Sequence, residues 1–191
     1  MKIPYAALLV LTLPVTLAAQ GSSNPPTDPL TTVFRQPMLT WQANLAQAFD
    51  SIPESKYGYK PTPAQLTVGY IAQHLASDNY LFCDAFGTAK GTRPAADTTT
   101  ADSVKATWPK DTLTAQLKAS FAFCEQALAQ LDDAKLAEPV TMSFRGNTRT
   151  VARANMVLGH ALDMADHYSQ IANYMRLNGM LPPSAQPRPR M

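Results

Sequence analysis

His160, Asp163 and His167 share one side of a single helical segment. Seven residues is nearly two helical turns, so both imidazoles point the same way, and a carboxylate four residues before His167 joins that face. Neutral imidazole and carboxylate are ligands for zinc and other divalent transition metals. His74 lies mid-way along a second amphipathic segment. These are the three histidines in 191 residues, and each stands where a helix bundle could bring it to a common ion. Hydrogen-bonded histidines inside a core use the same pattern, so spacing alone leaves a metal centre and a self-satisfied polar cluster both open.

Four amphipathic segments are available to position these groups. The first is predicted over residues 31–50, with Val33, Leu39, Trp41, Leu45 and Phe49 as apolar surface, and Ser51-Ile52-Pro53 ends it. The second begins near residues 63–67 and runs to about Phe86, with Gly87 as its stop. Thr67, Tyr70, His74, Leu81 and Ala85 form one stripe of it, Asp78 lies near that stripe, and Cys83 falls on the opposite side from His74. Residues 87–109 are rich in Thr, Ala, Gly and Asp and read as a long loop. The third helix starts with Asp111 or Thr112 as N-cap and places Leu113, Leu117, Ser120, Cys124, Leu128 and Leu131 toward the core. Asp132-Asp133 closes it as solvated or capping groups.

Residues 140–144 alternate like a strand. Arg145-Gly146-Asn147 turns, and residues 148–150 return, giving a small hairpin. The fourth helix is predicted over residues 151–178, stopped by Asn178-Gly179 and Pro182-Pro183. Its inward stripe is Met156, His160, Asp163, His167, Ile171 and Tyr174, flanked by Met164. Two histidines and a carboxylate within an apolar stripe are costly to bury unless paired or ligated. Four such helices with long connections predict an all-α, four-helix bundle with a short β-hairpin before the last helix.

Residues 1–19 read as a secretory signal: Lys2 is the basic start, residues 6–13 the apolar core, and Thr16-Leu17-Ala18-Ala19 the small-residue cleavage region. The apolar run is too short to leave a stable membrane span. Removing Lys2 with the signal takes the formal net charge from +2 to +1. Export places the chain in the periplasm or outside the cell. An oxidising compartment favours a Cys83–Cys124 disulfide over two buried, unlinked thiols. Residues 20–30 are polar and proline-rich, and are expected to be a disordered linker before a domain of residues 31–183. A similar tail follows over residues 184–191.

Hydrophobic residues make up 46% and charged residues 16% of the chain, the balance of a folded domain. No basic stripe or arginine-rich run is present, which argues against nucleic acid as a partner. Trp41 and Trp108 read as packing residues, and Arg176 as a charge suited to a helix C-terminus.

The run from His160 through Asp163, His167, Gln170, Tyr174, Arg176 and Asn178-Gly179 to Pro182-Pro183 resembles the last helix of DinB-like (DinB/YfiT) proteins. So does Tyr57-Gly58-Tyr59-Lys60-Pro61-Thr62-Pro63 leading into the segment that carries His74. The resemblance covers about residues 32–183. It implies a four-helix bundle of that type, with a divalent metal held by three side chains. His74 and His167 match two of the ligand positions. The third, four residues before His167, is usually histidine and here is Asp163. His160, one turn earlier, stands as an alternative or fourth ligand.

Zinc is the first expectation for the ion, with nickel, manganese and iron as others. Gln170, Asp78 and Tyr70 are the groups expected to support a ligand or a bound water. The wider family includes thiol-dependent transferases and isomerases, and the resemblance therefore implies a metal-activated thiol or water acting on a small molecule. Export tells against the thiol, because low-molecular-weight thiols concentrate in the cytosol, and leaves a metal-dependent hydrolase equally placed. The alternative is a non-catalytic metal-binding or stress-related exported protein. A homodimer is a family-level expectation only.

Overall fold

A computed structural model describes residues 27–187 apart from Arg145. The signal segment and the first part of the expected linker lie outside the described residues, as do residues 188–191. Four long helices dominate: α1 Pro29–Ser51, α2 Val68–Cys83, α5 Lys110–Leu128 and α7 Arg153–Leu177. Short helices α3 Ala95–Thr99, α4 Asp102–Lys105 and α6 Asp133–Leu136 lie between them. Strands β1 Pro139–Phe144 and β2 Asn147–Ala152 pair antiparallel just before α7, and Gly146 turns the hairpin at φ 77°. The long helices form a four-sided bundle in which α2 packs on α5 and α7, and α1 packs on the same two. Among the described residues, no helix is long and apolar enough to cross a membrane.

The core is built from one face of each long helix. Met38, Leu45, Ala48 and Phe49 come from α1, Ile71, Ala72, Leu75 and Ala76 from α2, Leu113, Leu117 and Leu128 from α5, and Met164, Ile171 and Met175 from α7. Val33, expected on the apolar face of α1, is 67% exposed, because that face is carried by Thr31, Met38, Gln42 and Leu45 instead.

Several boundaries differ from the sequence expectation for local reasons. Helix α1 begins at Pro29, inside the expected linker. The Asp133 carboxylate accepts from the Leu30 and Thr31 amides at 3.1 and 2.7 Å, and the Asp28 carboxylate accepts from the Asp133 amide at 3.1 Å. This clasp joins residues a hundred positions apart and satisfies donors that a helix start leaves unpaired.

Helix α5 starts at Lys110 behind Pro109, with no side-chain cap from Asp111 or Thr112; proline's fixed φ suits a helix entry. Val151 belongs to β2, and α7 starts only at Arg153, whose amide donates to the Glu138 carbonyl at 2.8 Å. The expected stop at Asn178-Gly179 is present: Gly179 has φ 72°, and the Met180 and Gly179 amides donate to the Met175 and Arg176 carbonyls at 2.9 and 3.0 Å. That is the paired closure a left-handed glycine permits.

Residues 87–109 are not a plain loop. They carry α3 and α4, held to α2 by a buried ionic cluster. Lys105 Nζ lies 3.2 Å from Asp97 Oδ1 and 2.9 Å from Asp102 Oδ1. Arg93 donates to Asp97 at 2.8 Å and to Ser77 of α2 at 3.0 Å. Asp97 and Lys105 are both buried, so their pairing is what makes burial tolerable. Composition hides this cluster, because its members sit singly among Thr and Ala.

Candidate metal centre

Helix α2 is set in place at its start. Thr67 accepts from the Tyr70 amide at 3.1 Å, an N-cap of the usual kind. The Val68 and Gly69 amides donate to the carbonyls of Tyr59 and Tyr57 at 3.1 and 2.8 Å. The tyrosine-rich lead therefore anchors the helix by its backbone. The buried face of α2 runs through Val68, Ile71, Ala72, Leu75, Ala76, Asn79 and Cys83. His74 lies on the half-exposed stripe beside it, with Tyr70 and Asp78, so this stripe faces the groove between α2 and α7 rather than the core.

Across that groove stand Asp163 and His167 of α7. His167 Nε2 is 3.4 Å and His74 Nε2 3.9 Å from Asp163 Oδ1. The two imidazole rings meet edge to face with centroids 4.8 Å apart. One donor atom from each of His74, Asp163 and His167 falls within 4.8 Å of the others. A tetrahedral ion with bonds of about 2.1 Å holds its ligand atoms roughly 3.4 Å apart, so this set is close to the spacing an ion needs. Asp163 Oδ2 and His167 Nδ1 are buried and have no hydrogen-bond partner among the described residues. A carboxylate oxygen left bare beside two imidazoles fits a cation, which would compensate the buried charge.

The electrostatics agree. Burial alone would push the His167 imidazole down, but the hydrogen bond and charge of Asp163 outweigh it and hold His167 above its ordinary value. Burial raises the Asp78 carboxyl, and the nearby Asp163 charge adds to that against the opposing pull of His74 and His167. Asp78 Oδ2 lies 3.5 Å from His74 Nε2, and the Tyr70 ring stacks on His74 with centroids 6.3 Å apart. Asp78 and Tyr70 thus flank a candidate ligand. Gln170 does not: its amide donates to Asp166 at 2.7 Å on the exposed side.

The site is open on one side, with the His74 side chain 31% and the Asp163 side chain 18% exposed. A cavity of about 650 Å³ lies at the start of α2, lined among others by Tyr57, Lys60, Thr67, Tyr70 and Trp108 and by none of the three candidate ligands. Tyr70 is shared between that cavity and His74. Trp108, read from sequence as packing, is also part of the cavity wall.

His160 is not part of this group. It shares the angular face of His167 but sits seven residues earlier, about 10 Å along the helix axis. Since α2 runs antiparallel to α7, the level of His160 is that of Asn79 and Cys83 rather than of His74. Its Nε2 lies 2.8 Å from Asn79 Oδ1 and 3.8 Å from the sulfurs of both Cys83 and Cys124. Cys83 and Cys124 form a buried disulfide between α2 and α5, with Cα atoms 5.2 Å apart. Burial pushes the His160 imidazole down to about 4, so it is neutral in the folded chain. Asn79, which sequence reasoning did not single out, also donates to Ser120 Oγ at 2.8 Å. The available signal was an amide among apolar residues of α2, a signal that Gln73 shares.

Residues 39–171 match the family model of the DinB superfamily. Among solved structures, a DinB-like protein from Bacillus cereus superposes with a TM-score of 0.59 at 16% sequence identity, covering 78% of this chain and 93% of its own. A mycothiol-dependent maleylpyruvate isomerase superposes with a TM-score of 0.58 at 15% identity, covering 74% of this chain but only 60% of the isomerase. At these identities the likeness is one of fold. No curated protein matches the chain by sequence.

Proposed function

The chain belongs to the DinB superfamily, and from that premise we propose that it is an exported metal-dependent enzyme acting on a small molecule. His74, Asp163 and His167 would hold a divalent ion, zinc before nickel, manganese or iron. The observation that carries this reading is the convergence of those three donors on a groove left open on one side. When bound, such an ion lowers the pKa of a water or thiol and so supplies a nucleophile near neutral pH.

The protein's own groups have distinct tasks. Asp163 would offset the ion's charge, and in the metal-free chain its Oδ1 lies 3.4 Å from His167 Nε2 and holds that ring at the groove. Tyr70 and Asp78 fix the His74 ring from two sides. Asp78, whose carboxyl is raised by burial in the metal-free chain, keeps its Oδ2 against the His74 ring at 3.5 Å. The cavity beyond Tyr70 has the size of a small-molecule site.

Hydrolase and thiol-dependent transferase remain the two versions of the chemistry. The fold shared with a mycothiol-dependent isomerase supports the thiol, and the signal-like start of the sequence supports water. A closed, non-catalytic site with four protein ligands loses its fourth donor, since His160 lies on another level.

Metal analysis of the purified mature chain tests the reading. One equivalent of divalent metal is expected, lost on Asp163→Ala or His167→Ala and retained on His160→Gln. Sub-stoichiometric metal, together with a melting temperature indifferent to chelator, would overturn it.

A further inference from the structure

We propose that Cys83, Cys124 and His160 form a second metal site, closed while the cysteines are disulfide-bonded and opened to a thiophilic divalent cation such as Zn²⁺ when the disulfide is reduced. Three different helices bring these donors to one point. Cys83 comes from α2, Cys124 from α5 and His160 from α7, and all three are completely buried. His160 Nε2 is equidistant from the two sulfurs at 3.8 Å. Tetrahedral zinc, with bonds of about 2.3 Å to sulfur and 2.0–2.1 Å to nitrogen, requires roughly 3.5 Å between those atoms. The nitrogen is therefore within a few tenths of an ångström of a ligand position before any rearrangement. The two sulfurs need to part to roughly 3.8 Å, a motion within reach of cysteine side-chain rotation on fixed backbones 5.2 Å apart at Cα.

Asn79 supplies the fourth donor. Its Oδ1 already faces His160 Nε2 at 2.8 Å, and its amide is held by Ser120. Ligation through Nε2 gives up its contact with Asn79 Oδ1 and puts the ring proton on Nδ1, which is buried without a partner among the described residues, a cost that the metal–thiolate bonds must exceed. Phe82 and Phe86 flank the ring with centroids 5.7 and 5.6 Å away, which keeps the site dry and favours thiolate ligands over water.

The chemistry balances with a named reductant. A phosphine and one water convert the disulfide to two thiols and leave as the phosphine oxide. Each thiol then gives up a proton as its sulfur binds the cation, so the dication meets two thiolates and a neutral imidazole. Hydrogen peroxide, taking two electrons from the thiolates and two protons from solvent to leave as two waters, restores the disulfide and expels the cation. The first site contains no sulfur, so thiolate ligation reports on this one alone.

The test uses Co²⁺ as the probe on the full mature chain, either oxidised or reduced with a water-soluble phosphine and desalted. The reduced protein should show a near-ultraviolet sulfur-to-cobalt charge-transfer band that saturates at one equivalent of sulfur-bound cobalt and is displaced by Zn²⁺. The oxidised protein should show none. His160→Gln should weaken cobalt binding at this site at least tenfold, and Cys83→Ser should abolish the band. The proposal is overturned if the reduced protein gives no band, loses its helical circular dichroism, keeps the band in denaturing guanidinium, or binds cobalt equally well as His160→Gln.

Discussion

His160 makes the stability of this protein depend on pH in a calculable way. The imidazole is fully buried, and burial lowers it from the ordinary 6.5 to about 4. The unfolded chain therefore takes up a proton on this residue at a higher pH than the folded chain does. Stability from keeping His160 neutral is complete above about pH 6.5, falls as the pH drops below that value, and levels off below about pH 4. With 1.36 kcal/mol for each unit of separation, the loss reaches about 2 kcal/mol by pH 5 and about 3 kcal/mol once both forms are protonated.

His167 runs the other way. Asp163 holds it above its ordinary value, so its contribution is complete below about pH 6.5 and is lost as the pH rises through its raised value. His160→Gln keeps a donor for Asn79 and leaves His167 in place, so subtracting the two proteins isolates His160. Urea unfolding of both, with the disulfide intact and chelator present, should be followed from pH 7.5 to 5. The difference in unfolding free energy between wild type and variant should shrink by about 2 kcal/mol across that range. Parallel curves would refute the argument, because they would mean that His160 is protonated as readily in the fold as outside it.

Two further outcomes follow from packing. Replacing both Cys83 and Cys124 by alanine frees a segment of 41 residues and should lower stability by about 4 kcal/mol on loop-entropy grounds, read as a fall in the urea midpoint. Gly69→Ala would drive a methyl group into the Ala106 carbonyl, a backbone atom that cannot swing aside. It should cost about 2 kcal/mol in urea unfolding, and an unchanged midpoint would show that α4 yields freely from α2.

What could be read ahead of the structure was whatever local chemistry dictates. Asn178-Gly179 stops α7 because a left-handed residue closes the last turn, and no distant contact is needed. The pairing of Asp163 with His167 follows from a four-residue spacing on one helix, and the resemblance to DinB-like proteins placed His74 opposite them. Angular spacing misled at His160. It fixes direction around an axis but not height along it, and only the antiparallel run of α2 against α7 decides which level meets which. The His74 stripe was likewise legible as a stripe, though not as a groove wall, since exposure depends on the neighbouring helices. The Asp28 and Asp133 clasp and the Arg93, Asp97 and Lys105 cluster depend on residues that meet only after the chain folds. Asp133 was legible as a capping group, but the helix it caps lies at the other end of the domain.

The disulfide also has a topological consequence for the segment that carries α3 and α4. Residues 83 and 124 close a covalent ring, and all of residues 87–109 lie inside it. A protease that cuts once within that stretch opens the ring without separating the molecule. In the oxidised protein both halves stay joined through sulfur, and α2 and α5 keep their pairing. A nicked chain would then migrate as a single species until a reductant is added, and as two fragments afterwards. Damage to the segment that carries α3 and α4 is thus retained within one particle.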